Sequence, residues 1–194
     1  MGRKLVGQKS ILVFAGSARQ DSFNKKLAQY AARQLADNNI KHSFADLNDY
    51  QAPVYHGDLE ADAGIPESMT QFKQLMRSHD AFLIASPEYN GFVPPLLINT
   101  FSWCSRPEPG DTTLVATRGK YIGLMATSPG AMGGIRMLPR LREALGDLGA
   151  IVIPGPVAIG GAMNAFDDDG NLIDEGNQKR VKTLIETLVT NAGI

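Results

Sequence analysis

Four short runs, at 11–15, 81–85, 121–126 and 150–153, are apolar almost without interruption. A strand with one wet face alternates apolar and polar residues, whereas a continuous apolar run fits a strand covered on both faces of a parallel sheet. A weaker fifth run lies at 42–47. Between the runs, apolar residues follow helical spacing: Phe23, Leu27, Ala31 and Leu35; then Met69, Phe72 and Met76 behind Pro66. The pattern continues with Ile135, Leu138, Leu141, Leu145 and Leu148 before Gly149, and with Val181, Leu184, Ile185 and Leu188 near the end. Pro66 suits the first helical position and Gly149 a C-terminal cap, while Pro139 predicts either a kink or a helix that starts near it. Five βα units predict a doubly wound α/β sheet. No repeat, low-complexity tract or linker marks a boundary, so one domain over residues 1–194 is expected. Ligands of such sheets sit beyond the carboxyl ends of the strands, so the loops after the first, third and fourth strands should meet at one pocket.

Charge narrows the partners. Nineteen basic side chains against 20 acidic ones leave a formal net charge of −1, which carries no footprint for nucleic acid or an anionic membrane. A lone cysteine, Cys104, excludes an internal disulfide framework and fits a reducing compartment. The start, 1–10, is basic but has no apolar core, so no secretory signal is expected, and Val6 stands where myristoylation of Gly2 would need Ser or Thr. No apolar run approaches the roughly 18–20 residues of a membrane span. A cytoplasmic location is expected.

The loop behind the first run reads Gly16-Ser17-Ala18-Arg19-Gln20-Asp21-Ser22-Phe23-Asn24 and leads straight into a helical pattern. Strand, small polar loop, helix start is the geometry that turns main-chain N–H groups and a positive dipole end toward an anion. Arg19 can take two phosphate oxygens, and Ser17, Ser22 and Asn24 can donate to the others, which suits a terminal phosphate monoester. The plainer reading is a turn in which Ser22 caps the helix and Arg19 lies on the surface. Only Gly16 of a dinucleotide fingerprint is present, and no Gly-Lys-Ser/Thr follows.

Behind the third run, Ser86-Pro87-Glu88-Tyr89-Asn90-Gly91-Phe92-Val93-Pro94-Pro95 forms a stiff, partly apolar ledge against which a flat heteroaromatic ring could lie. An ordinary crossover loop with Tyr89 and Phe92 capping the core would read the same way. Behind the fourth run, Thr127-Ser128-Pro129-Gly130-Ala131-Met132-Gly133-Gly134 offers glycines that let main chain approach a ligand, or simply a flexible turn.

These pieces, together with 166–174, carry a resemblance. GSARQDSFN at 16–24, SPEYNGFVPPLLINTFSW at 86–103, SPGAMGGIR at 128–136 and FDDDGNLID at 166–174 resemble, in order and spacing, the NAD(P)H-dependent FMN reductases. That flavodoxin-like group includes chromate- and quinone-reducing flavoenzymes. The resemblance implies a three-layer sandwich with a five-stranded parallel sheet of order 2-1-3-4-5 that binds FMN, uses NADPH or NADH as hydride donor, and assembles as a homodimer or homotetramer. By the same resemblance Ser17, Arg19, Ser22 and Asn24 would hold the FMN phosphate. Pro87, Glu88, Tyr89 and Asn90 would run along the isoalloxazine, and Ser128 and Gly130 would close the far side. Departures from the family pattern fall at Phe92, which replaces a small residue, and at Pro95, Ile98 and Ser102, where the family has glycine, lysine and aspartate. They bear on substrate access and subunit contacts.

Other residues read more plainly. Cys104 follows Trp103 on an apolar helix and has no thioredoxin-like partner, so it reads as packing. His42, His56 and His79 are scattered and do not suggest a metal site. Asp167-Asp168-Asp169-Gly170 fails an EF-hand alignment and reads as a solvated turn. Glu88 is assigned a positional role, since flavin hydride chemistry requires no general base. The expected activity is hydride transfer from a nicotinamide via FMN to a quinone, flavin, azo compound or metal oxyanion such as chromate. The alternative is a flavodoxin-type electron carrier or redox sensor. The near-neutral charge argues against a carrier, which docks through a one-signed face.

Overall fold

The computed structural model describes residues 8–194; the basic start and Val6 lie outside the described residues in all but its last three positions. The chain runs β1 (Ile11–Ala15), α1 (Phe23–Asp37), β2 (His42–Ala45), α2 (Gly57–Ala63), α3 (Glu67–Arg77), β3 (Ala81–Ala85) and α4 (Pro95–Cys104). It continues with β4 (Tyr121–Thr127), α5 (Met137–Asp147), β5 (Ile151–Val152), β6 (Val157–Ile159) and α6 (Glu175–Ala192). Two 3-10 turns, at Leu47–Asp49 and Ala162–Asn164, complete it.

The sheet is parallel throughout, in the order β2-β1-β3-β4-β5, with β6 also paired to β4. The order reverses beside β1, so the ends of β1 and β3 open on the switch point where ligands of doubly wound sheets bind. Every residue of β1 and β3 is buried, as their unbroken apolar runs require. One core lies under α1 and α6, with Val13, Leu27, Leu35, Leu83, Leu184 and Leu188 among its members. The other lies under α3, α4 and α5, where Phe14, Phe72, Phe82, Leu97, Trp103 and Leu141 meet. Phe14 packs edge-on to Phe72 with ring centroids 5.4 Å apart.

Four elements differ from the sequence pattern. The fifth lane of the sheet is two strands, because Pro154-Gly155-Pro156 interrupts it: Tyr121 faces Ile151, but Met125 faces Val157. Proline has no N–H for the ladder, so the chain bulges out and rejoins β4 farther on. α2 has no buried residue and no apolar stripe; it is held from outside by Glu60, which accepts from Tyr55 Oη at 2.8 Å and Arg106 Nε at 2.8 Å. Pro66 is the N-cap rather than the first residue of α3, its carbonyl accepting from Met69 N and Thr70 N. Pro139 falls in the first turn of α5, where a missing N–H matters least, and Ile135 lies outside the helix, exposed. Gly149, at φ +76°, follows the C-cap as expected.

Candidate active site

The loops after β1, β3 and β4 converge on a cleft of about 610 Å³. Its lining includes Ser17, Arg19, Ser22 and Asn24 from the first loop, Pro87, Glu88 and Tyr89 from the second, and Ser128 from the third. Sequence reasoning missed Asp21, Phe23, Lys26, Thr127, Pro129 and Met163, which complete it. Met163 sits on the 3-10 turn after β6, an element that no periodicity announced.

At one end of the cleft are donors without acceptors. Among the described residues, the main-chain N–H groups of 17–24 make no hydrogen bond, nor do the Ser17 hydroxyl and the Arg19 guanidinium. Ser22 caps α1 by accepting from Lys25 N at 3.3 Å, which leaves its hydroxyl proton free to donate. The loop is held in shape by buried Lys25, whose ammonium donates to Ala18 O at 3.3 Å and pairs with Asp46 at 2.6 Å. Arg19 and Lys26 stand 5.6 and 6.0 Å from the Phe23 ring centroid, so two cations frame this end. Concentrated donors and positive charge at a helix N-terminus fit a phosphate.

Asn24 lines the cleft and is also bonded within the protein. Its Nδ2 donates to Thr127 O at 2.9 Å and its Oδ1 accepts from Thr127 N at 3.0 Å, so the amide joins the first loop to the end of β4. Ser22 fills both its readings, as helix cap and as a lining hydroxyl.

The second loop closes in a two-residue turn. Tyr89 N donates to Phe92 O at 3.1 Å and Phe92 N to Tyr89 O at 2.9 Å, with Asn90 at φ +52° and Gly91 at φ +73°. Asn-Gly is the dipeptide that such a turn demands, a signal the sequence held. Asn90 therefore shapes the turn and lies outside the cleft lining, while Tyr89 is left 49% exposed beside it. Glu88 turns inward to Arg136 and Met137. Burial pushes its carboxyl up, but the Arg136 guanidinium and two main-chain N–H groups more than offset this and hold it below the ordinary carboxylate range.

Gly133 of the third loop is required by packing. A Cβ on Gly133 would stand 2.5 Å from Ile159 C, and one on Gly160 would stand 2.3 Å from Ala131 O, so the loops after β4 and β6 touch main chain to main chain. Gly130 also lies outside the cleft lining; its carbonyl accepts from Gly133 N and Gly161 N at this seam.

Cys104 is buried, and burial pushes its thiol up to about 12, as suits a packing residue. His79 is buried between Leu75 O and the Ser43 hydroxyl, His42 bonds Ile40 O, and His56 caps α2. Among the described residues no group of three or more His, Cys, Asp or Glu is placed to hold a metal ion. Asp167 accepts from Asn171 N at 2.7 Å, closing a turn between Phe166 and Leu172. Among the described residues no helix is long and apolar enough to cross a membrane.

Residues 10–164 match the family model for NADPH-dependent FMN reductase. The chain belongs to that family. It is 36% identical over 167 residues to a quinone reductase of Pseudomonas putida, a match covering 86% of each chain. It is 34% identical over 177 residues to a 2-hydroxy-1,4-benzoquinone reductase of a Burkholderia species, covering 91% of this chain and 92% of the relative. Among solved structures it superposes on FerB, a flavoenzyme NAD(P)H:(acceptor) oxidoreductase of Paracoccus denitrificans, with TM-score 0.75 and 30% identity. That match covers 94% of this chain and 98% of FerB. The chain is thus an oxidoreductase of the flavodoxin-like fold that uses FMN and a reduced nicotinamide, which decides against the carrier alternative.

Proposed function

We propose that the enzyme passes hydride from NADPH or NADH, by way of FMN seated in the cleft, to a quinone. The observation that carries this reading is the cleft's two chemically different ends. Free donors of residues 17–24 suit a phosphate monoester, while Pro87 and Tyr89 offer a wall for a flat ring. Bound FMN supplies the acceptance of hydride and the release of its electrons. In this reading Arg19 takes two phosphate oxygens while Ser17, Ser22 and the main-chain N–H groups saturate the rest. Pro87 and Tyr89 orient the ring, and Ser128 and Met163 border its far side. The names of the Pseudomonas and Burkholderia relatives support a quinone as acceptor. Free flavins, azo compounds and chromate extend the acceptors to be tried.

The whole chain is read as one FMN-binding domain working in the cytoplasm. Exposed Phe92, Met132 and Ile135 on the second and third loops support a homodimer or homotetramer in which a second subunit covers the cleft mouth. Sedimentation of the purified protein measures that state.

The test of function is anaerobic mixing of the FMN-loaded protein with NADPH or NADH, followed by a benzoquinone. Bleaching of the flavin band, then its recovery with stoichiometric quinol, is the expected outcome. A flavin band that neither nicotinamide bleaches overturns the proposal.

A further inference from the structure

Tyr89 is an exposed aromatic on a loop tip, yet its main chain is fastened on both sides to α5. On one side stands Glu88, whose side chain is only 7% exposed. Its Oε2 accepts from Arg136 N at 3.0 Å and from Met137 N at 3.2 Å; its Oε1 accepts from Arg136 Nε at 2.8 Å and Nη2 at 2.5 Å. α5 has no side-chain cap from its own N-cap residue, Arg136; Met137 N also reaches Gly134 O at 3.2 Å, but Arg136 N has no acceptor besides Glu88 among the described residues. Glu88 supplies that cap from a loop 48 residues away. On the other side Arg140, one helical turn on from Arg136, donates from Nη1 to Gly91 O at 2.6 Å and to Arg136 O at 2.6 Å. Its guanidinium also lies 5.6 Å from the Phe92 ring centroid.

Each oxygen of Glu88 accepts two N–H donors, so the carboxylate's lone pairs are taken up and none is left to accept a proton from a substrate. We infer that Glu88, with Arg136 and Arg140, is a positioning residue that clasps the Pro87–Tyr89 wall to α5 and so sets the cleft's width before the flavin ring enters. The inference rests on the FMN reading. Its physical basis is pre-organisation: a wall already fixed in the bound geometry loses less freedom on binding, so affinity rises without any contact from Glu88 itself.

The clasp separates into parts that can be removed singly. Arg136→Ala deletes the guanidinium and leaves the main-chain pair; Glu88→Gln keeps one acceptor oxygen; Glu88→Ala removes every contact of Glu88 and leaves only the Arg140 bond to Gly91 O. The Kd of apo-protein for FMN, read by quenching of flavin fluorescence well below each variant's melting temperature, should rise in that order. The increase for Glu88→Ala should be roughly tenfold or more. A merely structural role would lower melting temperatures and leave Kd unmoved, so unchanged Kd values in folded variants overturn the clasp. Should Glu88→Ala fail to fold, Arg136→Ala and Glu88→Gln decide by the same measure. Normal uptake by the wild type with unchanged variants overturns this proposal alone, whereas a wild type that takes up no FMN overturns the flavin reading and this proposal with it.

Discussion

Asn24 meets Thr127 as one strand meets another: the side-chain amide donates to Thr127 O at 2.9 Å and accepts from Thr127 N at 3.0 Å. Both residues are buried, and they join the first turn of α1 to the last residue of β4. The link reaches farther, since the Thr127 hydroxyl donates to Ile159 O at 2.8 Å and Ser128 N donates to the same carbonyl at 3.2 Å. One amide thereby sets the loop after β1 against the two loops on the opposite side of the cleft.

Asn24→Ala removes two buried hydrogen bonds and strands the main-chain groups of Thr127. The expected loss is about 2–4 kcal/mol of stability, measurable by urea unfolding. Asn24→Asp should be little better at neutral pH, because a carboxylate has no proton to offer Thr127 O. A loss within ~0.5 kcal/mol for both variants would show that the loops are held by other contacts.

Arg19 makes no hydrogen bond or ion pair among the described residues and is exposed. Arg19→Ala should therefore leave the urea midpoint within ~0.5 kcal/mol of wild type. The purified variant should nevertheless lose FMN, because the phosphate forfeits its bidentate partner. Full flavin retention on gel filtration would contradict the phosphate assignment.

The contrast between Arg19 and Asn24 shows what sequence could and could not carry. β1 and β3 were legible because unbroken apolar runs admit few alternatives to a strand covered on both faces. The stripes of α1, α3 and α6 followed from helical spacing, which named Leu27, Ala31, Leu35, Met69, Phe72, Met76, Val181, Leu184, Ile185 and Leu188 among the buried residues; Phe23 is only half-buried, and buried Lys25 and Lys73 gave no such signal. α2 was invisible because it buries nothing, and the split into β5 and β6 because two prolines break a lane that parallel pairing later resumes. Residue types placed Asn24 at the site and the family resemblance placed Glu88 there, but their partners, Thr127 and Arg136, are 103 and 48 residues away. A single sequence carries no signal for such pairings.

Cys104 tests the second core. The thiol is buried, donates to Met69 O at 3.9 Å, and is pushed up to about 12 by burial. Burial disfavours the reactive thiolate and shields the thiol from the reagent. Alkylation by a maleimide should be undetectable in the native enzyme and should track unfolding as urea is raised. Rapid modification of the folded protein would show that the α3–α4 contact opens on its own.

Lys73 and Asp111 bear on how stability follows pH. Lys73 is 1% exposed, and its ammonium pairs with Asp111, with Glu108 at 3.0 Å and with Arg106 O at 2.6 Å. This cluster fastens the segment 105–120 to α3. The hydrogen bond from Lys73 holds the Asp111 carboxyl below the ordinary aspartate range, with help from Glu108 N. A depressed folded value adds stability that is complete above the unfolded pKa, about 3.9, and is lost as pH falls through the lower folded value. Wild type should therefore lose stability below about pH 4, and Asp111→Asn should show a flatter dependence there. Lys73→Ala leaves the buried Asp111 carboxylate with only the partly exposed Arg77 guanidinium at 3.0 Å and Glu108 N as partners, and should cost up to about 3 kcal/mol near neutrality. Because protonation of Asp111 relieves that burden, the deficit of Lys73→Ala should shrink as pH falls toward 4. A deficit that stays constant across the range would mean that packing, not charge, holds the segment.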